Sequence, residues 1–405
     1  MPKTVPAGGP VTSADRIAFL DILRGFAVMA IFIVNIKAMF MPFAFYTNPS
    51  MWGSEIDVWI ANGQKFLVDD KWRTTFTALY GAGLLMIWDR LSARGADRGV
   101  LLRRNLWLIV FGAIHLFLIW TGDILFIYGV TGLVAMLFVR MKMWQLLLFG
   151  LLILTLGIAW MGAMSAAPAF VPEMHDALKP KFWAPGPEVL AEEIATMQGG
   201  IGGQVAYHVQ SAIGYVAFYV IFGGMFAMTL GLMVTGMALF RLGLYRGAWP
   251  LAVTAPVAVL ALGAAWTLDY HQIRELMASQ YDFEVYSLNG WMALIDGVLG
   301  ALGYACLISA LVTMGLRFGP VAAVGRMAFT NYIACSLIGT TMAAGHGLGM
   351  YGDVSLVTLM MIVAIVLIAM LTWSPLWLRA FRFGPLEWLW RSLVYGTIQP
   401  ILRSA

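Results

Sequence analysis

The chain has 405 residues, of which 61% are hydrophobic and 11% charged, with a mean hydropathy of +0.81 and a formal net charge of +4. Soluble domains carry about 25% charge, so this composition excludes one water-soluble core and calls for an all-α, polytopic membrane bundle. Basic residues do not alternate with aromatics on any polar module, which argues against nucleic acid as a partner.

Hydropathy places about ten spans, near residues 17–41, 72–90, 103–120, 123–140, 143–165, 209–240, 250–269, 290–316, 323–344 and 354–374. The whole of 1–405 reads as one transmembrane domain, with an N-terminal group of helices over 17–165 and a C-terminal region over 209–405. A long polar connection, 166–208, separates them and contains Pro172, Pro180, Pro185 and Pro187, then Glu188, Glu192 and Glu193.

The first span contains Asp21, Arg24 and Asn35. Ionised groups in hydrocarbon cost roughly 2.5–3.5 kcal/mol each on insertion scales. Asp21 and Arg24 stand at i, i+3 and can pair. Eleven residues, about three turns, separate Arg24 from Asn35, so all three project from one face. This face is either a functional one or a self-satisfied packing pair with Asn35 as interhelical glue.

The third span opens with Arg103 and Arg104 and reaches His115, Trp120, Gly122 and Asp123. Arg104 and His115 share a face about 16 Å apart along the axis. Histidine exchanges a proton near neutral pH, and Asp123 is close enough in sequence to fix its tautomer. The alternative is a core histidine bonded to a backbone carbonyl.

Asp296 falls inside the eighth span, where it is protonated, paired or water-exposed. His346 lies in the glycine-rich Gly345-His346-Gly347-Leu348-Gly349 connection, and His175, His208 and His271 lie in or beside loops. Cys306 and Cys335, the only two cysteines, make neither a metal motif nor a disulfide framework, and no metal is expected. Near the end, Pro385 starts a short helix in which Glu387 reaches Arg391 at i+4 and Trp388 and Trp390 suit the headgroup level. That helix lies flat on the membrane surface or contributes to a polar pocket.

Lysine and arginine distribution sets the expected orientation. One side receives Lys3, Arg16, Arg90, Arg94, Arg98, Arg103, Arg104, Arg140, Lys142, Arg241, Arg246, Arg317, Arg326, Arg379, Arg382, Arg391 and Arg403. The other receives Lys65, Lys71, Arg73, Lys179, Lys181 and Arg274. Both termini are therefore expected on the cytoplasmic face of the membrane.

Three blocks together resemble the YeiB family, bacterial membrane proteins carrying the domain DUF418. They are Asp21-Ile-Leu-Arg24-Gly25 with Asn35, His115 with Gly122-Asp123-Ile124-Leu125, and Gly325-Arg326-Met327-Ala328-Phe329-Thr330-Asn331-Tyr332 with Phe383-Gly384-Pro385-Leu386-Glu387-Trp388-Leu389-Trp390-Arg391. The first block is also similar to the opening helix of membrane acyltransferases of the heparan-glucosaminide acetyltransferase type. That likeness implies transfer of an acyl group from a cytoplasmic thioester to a far-side acceptor. The sequence departs from the pattern: a catalytic His of the bacterial O-acyltransferase branch is Asn35 here. The later His of the heparan-type branch has Tyr46 near its place.

The expected chemistry is acyl transfer from acyl-CoA to a hydroxyl or amine of a glycan, lipid or small molecule. Asp21, Arg24, Arg103, Arg104, Glu387, Trp388 and Arg391 would surround the donor, His115 and Asp123 would supply the base, and Asn35 would stabilise the oxyanion. Transport or flipping of an anionic lipid or small metabolite is the alternative, and a non-enzymatic scaffold a third. Membrane lipids are expected neighbours, and a homo-oligomer is compatible with such a bundle.

Overall fold

The structure, a computed structural model, describes residues 18–95, 99–221 and 223–403. Lys3, Arg16, Ile17 and Arg98, counted above for orientation or the first span, lie outside the described residues. Helices account for almost all of it, in the order α1 (Ala18–Phe40), α2 (Phe43–Thr47), α3 (Glu55–Leu67), α4 (Lys71–Ala93), α5 (Gly99–Ile114), α6 (Leu125–Ala135) and α7 (Met143–Ala166). These are followed by α8 (Pro172–Leu178), α9 (Pro187–Gln198), α10 (Ile201–Ile221), α11 (Gly224–Leu242), α12 (Leu251–Ala278), α13 (Phe283–Thr313), α14 (Gly319–Arg326), α15 (Ala328–Ala343), α16 (Leu356–Ala380) and α17 (Pro385–Tyr395). Among the described residues there is no β-sheet, only an isolated antiparallel bridge between Phe381 and Leu402. The protein is an all-α, polytopic membrane bundle.

The described residues do not confirm the expected count of about ten spans. Seven described helices are long and apolar enough to cross a membrane, or eight if the bent pair α14–α15 forms one span. The expected fourth span is α6, only 11 residues long, followed by turns. The second, α4, carries Lys71, Arg73, Asp89 and Arg90 and three threonines in its first two turns. The expected sixth is two helices, α10 and α11, separated at Gly223, whose φ of +62° is left-handed backbone that ends helical continuity.

The bundle is held by close backbone approach, as expected where lipid competes with apolar side chains and small residues must bring helices together. A methyl on Gly236 of α11 would overlap the Ala78 carbonyl of α4, and one on Gly231 would overlap the Leu154 backbone of α7. Lipid-length helices keep an exposed apolar stripe, as with Leu148, Leu152 and Leu156 on α7 and Ile365 and Ile368 on α16.

Between α14 and α15 the chain turns by 80° at Met327. Such a break frees carbonyls that hydrocarbon cannot solvate. Asn331 meets the need: its Nδ2 donates to the Val324 carbonyl (3.2 Å) and to Ser374 Oγ (3.0 Å), and its Oδ1 accepts from Trp373 Nε1 (3.3 Å).

Candidate functional site

His115 begins a single π-helical turn, His115–Ile119, that continues α5. Such turns concentrate at functional positions because the extra residue re-aims side chains. The imidazole is fully buried, and its Nδ1 lies 2.7 Å from Asp123 Oδ2. With the Asp123 carboxylate as acceptor, Nδ1–H is the hydrogen-bond donor and Nε2 is left as the basic nitrogen. That Nε2 is buried without a hydrogen-bond partner among the described residues.

Asp123 has a second task. Its Oδ1 accepts from the Phe126 amide at 2.6 Å, capping the first turn of α6. The carboxylate is therefore fixed by the fold before it orients the histidine. Gly112 and the backbone at Phe126 are in such close contact that any side chain at 112 would collide, which seats α6 on α5.

Two aromatic side chains complete the setting. The Tyr332 ring lies 5.2 Å from the imidazole centroid, and its hydroxyl donates to the Gly122 carbonyl at 3.3 Å. Trp120 approaches edge-on at 6.3 Å and donates its Nε1 to the Ala38 carbonyl of α1 at 3.4 Å. Tyr332 also lines a cavity of about 10 Å³ together with Asn35, Phe32 and Ser336, room for about one water. Asn35 thus shares Tyr332 with His115 as a neighbour.

At the other end of α5 a second group assembles. The Arg104 guanidinium lies 3.9 Å from the Trp390 ring centroid, and Trp390 Nε1 donates to the Arg104 carbonyl at 3.2 Å. Arg103 Nε donates to the Val394 carbonyl at 2.7 Å. Helix α17 therefore caps the basic end of α5. Glu387 directs its oxygens to α15: Oε1 accepts from the Phe329 (2.7 Å) and Thr330 (3.1 Å) amides, and Oε2 from the Thr330 hydroxyl. Burial raises the Glu387 carboxyl above its ordinary pKa, against the lowering pull of these hydrogen bonds. The expected i, i+4 partner, Arg391, lies over the Phe383 ring at 4.6 Å. Trp388 donates to the Gln399 carbonyl (2.6 Å) and anchors the C-terminal segment; it is Trp390 that meets the arginines.

On α1, Asp21 and Arg24 pair at 3.6 Å as their spacing requires. Asp21 and Gly25 abut α14, where a methyl on Gly325 would overlap the Asp21 carbonyl. The structure brings together His115 with Asp123, Asn35 with Tyr332, and Arg103 and Arg104 with α17. It keeps the arginines and the imidazole at opposite ends of α5 and its π turn, about 16 Å apart by helical rise.

Sequence reasoning missed Lys37, buried on α1 and 3.8 Å from Asp69. It also missed Lys71 and Asp269, buried as an ion pair at 2.9 Å. A lysine two residues beyond Asn35 in an apolar run was the available signal for the first. Nothing local marked the second, whose partners are about 200 residues apart in the chain.

A family model described as "Protein of unknown function (DUF418)" matches residues 239–397, within the expected 209–405 region. The chain is 30% identical to the uncharacterized protein YeiB of Escherichia coli (strain K12) over 412 aligned residues, covering 96% of this chain and 98% of that one. It is also 30% identical to the uncharacterized protein YxaH of Bacillus subtilis (strain 168), covering 98% of each. No solved structure matches. Full-length similarity, together with the C-terminal domain match, means that the chain belongs to the YeiB family of DUF418 membrane proteins.

Proposed function

We propose that the protein is a membrane-embedded acyltransferase that moves an acyl group from a cytoplasmic acyl-CoA-type donor to a hydroxyl or amine on the far side. One observation carries the reading: His115, held by Asp123 at 2.7 Å, has a buried Nε2 with no hydrogen-bond partner among the described residues. This is the orienter–base arrangement that acyl transfer needs.

In the reaction, Nε2 takes the acceptor proton as the acceptor oxygen or nitrogen attacks the thioester carbonyl. The tetrahedral intermediate collapses with release of the thiolate, which receives the proton back from the imidazolium. Asp123 stabilises that imidazolium, and Asn35 donates to the oxyanion. Arg24, Arg103 and Arg104 hold the donor's phosphates at the basic end, where guanidinium forks match phosphate geometry. A donor bound there must span the helical rise to His115. The cavity beside Asn35 and Tyr332 holds about 10 Å³, so catalysis requires α1 and α15 to part. The Met327 bend and the π turn at His115 supply breaks in the helical ladder about which they can move.

The test mixes labelled acetyl-CoA with purified protein and extracted cell envelope. Label moving to envelope material supports the reading; neither donor binding nor label transfer refutes it. A second reading, transport of an anionic lipid or small metabolite, draws on the Asp21–Arg24 pair inside a spanning helix. Proteoliposome flux that Arg24→Ala abolishes and His115→Ala leaves unchanged would favour transport.

A further inference from the structure

A second buried ionic cluster lies where α4, α12 and α13 meet. Lys71 Nζ is 2.9 Å from Asp269 Oδ2 and 3.7 Å from Asp296 Oδ1. Side-chain exposure is 0% for Lys71, 0% for Asp269 and 2% for Asp296. The lysine stem fits because residue 300 is glycine; any side chain there would collide with Lys71 Cγ. Lys71 Nζ also donates to the Lys65 carbonyl at 3.1 Å.

The charges do not balance. Two carboxylates face one ammonium, so full ionisation would leave one uncompensated negative charge sealed from water, and a buried charge in that position neutralises itself instead. The Asp269 and Asp296 carboxyl groups converge on the same ammonium, each within 4 Å of Lys71 Nζ. Two ionised carboxylates only accept, whereas one proton between them makes one a donor. Asp269 Oδ1 and Asp296 Oδ1 are buried with no hydrogen-bond partner among the described residues.

We infer that Lys71, Asp269 and Asp296 form a proton-binding site, with one exchangeable proton held on the Asp269–Asp296 carboxyl pair. In the protonated state the cluster is neutral; release of the proton leaves it with one negative charge. Asp69 and Asp70, immediately before Lys71, are partly exposed and lead outward from the cluster. Asp69 pairs with Lys37 of α1, and Asp70 with Arg73. Lys65, Tyr304 and Trp266 also border the cluster. The site therefore links α1, which also bears Asn35, to a titrating group outside the His115 pair. It stands whether the chain transfers acyl groups or transports a solute.

Infrared difference spectroscopy on the full-length protein in lipid nanodiscs tests it. Wild type should show a protonated-carboxyl C=O band at neutral pH, shifted by deuterium exchange and lost as pH rises. Asp269→Asn or Asp296→Asn should each remove that band, because the remaining carboxylate and Lys71 then balance. Lys71→Met should strengthen it. No such band in wild type, or one that survives both asparagine substitutions, overturns the inference. So does a band that appears only when sodium is replaced by choline, which would assign the site to a metal cation instead.

Discussion

Gly25 of α1 packs directly against the Val321 carbonyl of α14, leaving no room for a side chain. Four residues further along α14, Gly325 meets the carbonyl of Asp21, four residues before Gly25, in the same way. This seam fixes Asp21 and Arg24 on the broken α14–α15 unit, whose α15 half bears Tyr332.

Gly25→Ala and Gly325→Ala should each destabilise the protein by about 1–3 kcal/mol or more, since the collision is with backbone that cannot move aside. Gly263→Ala, at an exposed α12 position with open space around it, is the control and should hold or raise stability. Thermal unfolding of purified protein in one detergent, followed by tryptophan fluorescence, makes the comparison.

Asp123→Asn should separate the two tasks of that residue. Asparagine still accepts from the Phe126 amide, so the thermal transition should stay close to wild type. It does not hold His115 in the required tautomer, so acyl transfer should fall by about 10²–10⁴-fold. Asp123→Ala loses both, and its transition should also drop by about 1 kcal/mol for the missing cap.

Glu387→Ala should uncap α15 and cost about 1–2 kcal/mol, while Glu387→Gln retains an acceptor for the Phe329 and Thr330 amides. The pH dependence follows from the raised folded-state pKa, caused first by burial. A carboxyl with a raised folded pKa contributes stability that is fully present below its unfolded pKa, about 4.3, and lost as pH rises through the folded value. The stability of wild type minus that of Glu387→Gln should therefore decline as pH rises through the acid range. A difference that grows with pH would contradict this.

Arg104→Lys keeps the charge but loses the planar stack on Trp390, where the centroid distance is 3.9 Å. A loss of about 1 kcal/mol is expected, with weaker docking of α17. Limited proteolysis of the C-terminal segment should report the loosening.

The local relationships were legible because short spacings constrain geometry directly. Asp21 and Arg24 pair at 3.6 Å as i, i+3 neighbours, and His115 and Asp123, eight residues apart across one tight turn, meet at 2.7 Å. Hydropathy was less informative about helix ends. The length and glycine content of 209–240 point to a kink, but a window average does not locate it at the left-handed Gly223. It also counted 123–140 as a span, although α6 stops at Ala135 and turns follow. The Met327 bend was equally hidden, because Asn331 bonds the Val324 carbonyl of α14 while held by Ser374 and Trp373 of α16, which only the folded chain brings near. Long-range ion pairs were the hardest to foresee. Asp296 was recognisable as a charge needing a partner, but nothing local named Lys71.

The central claim is that the free nitrogen of His115 is the catalytic base, and His115→Gln in the label-transfer assay tests it most directly. Purified wild type should pass label from acetyl-CoA to envelope acceptor, and the variant should do so at least about 10²-fold more slowly with an unchanged thermal transition. Transfer by His115→Gln at the wild-type rate would contradict the account.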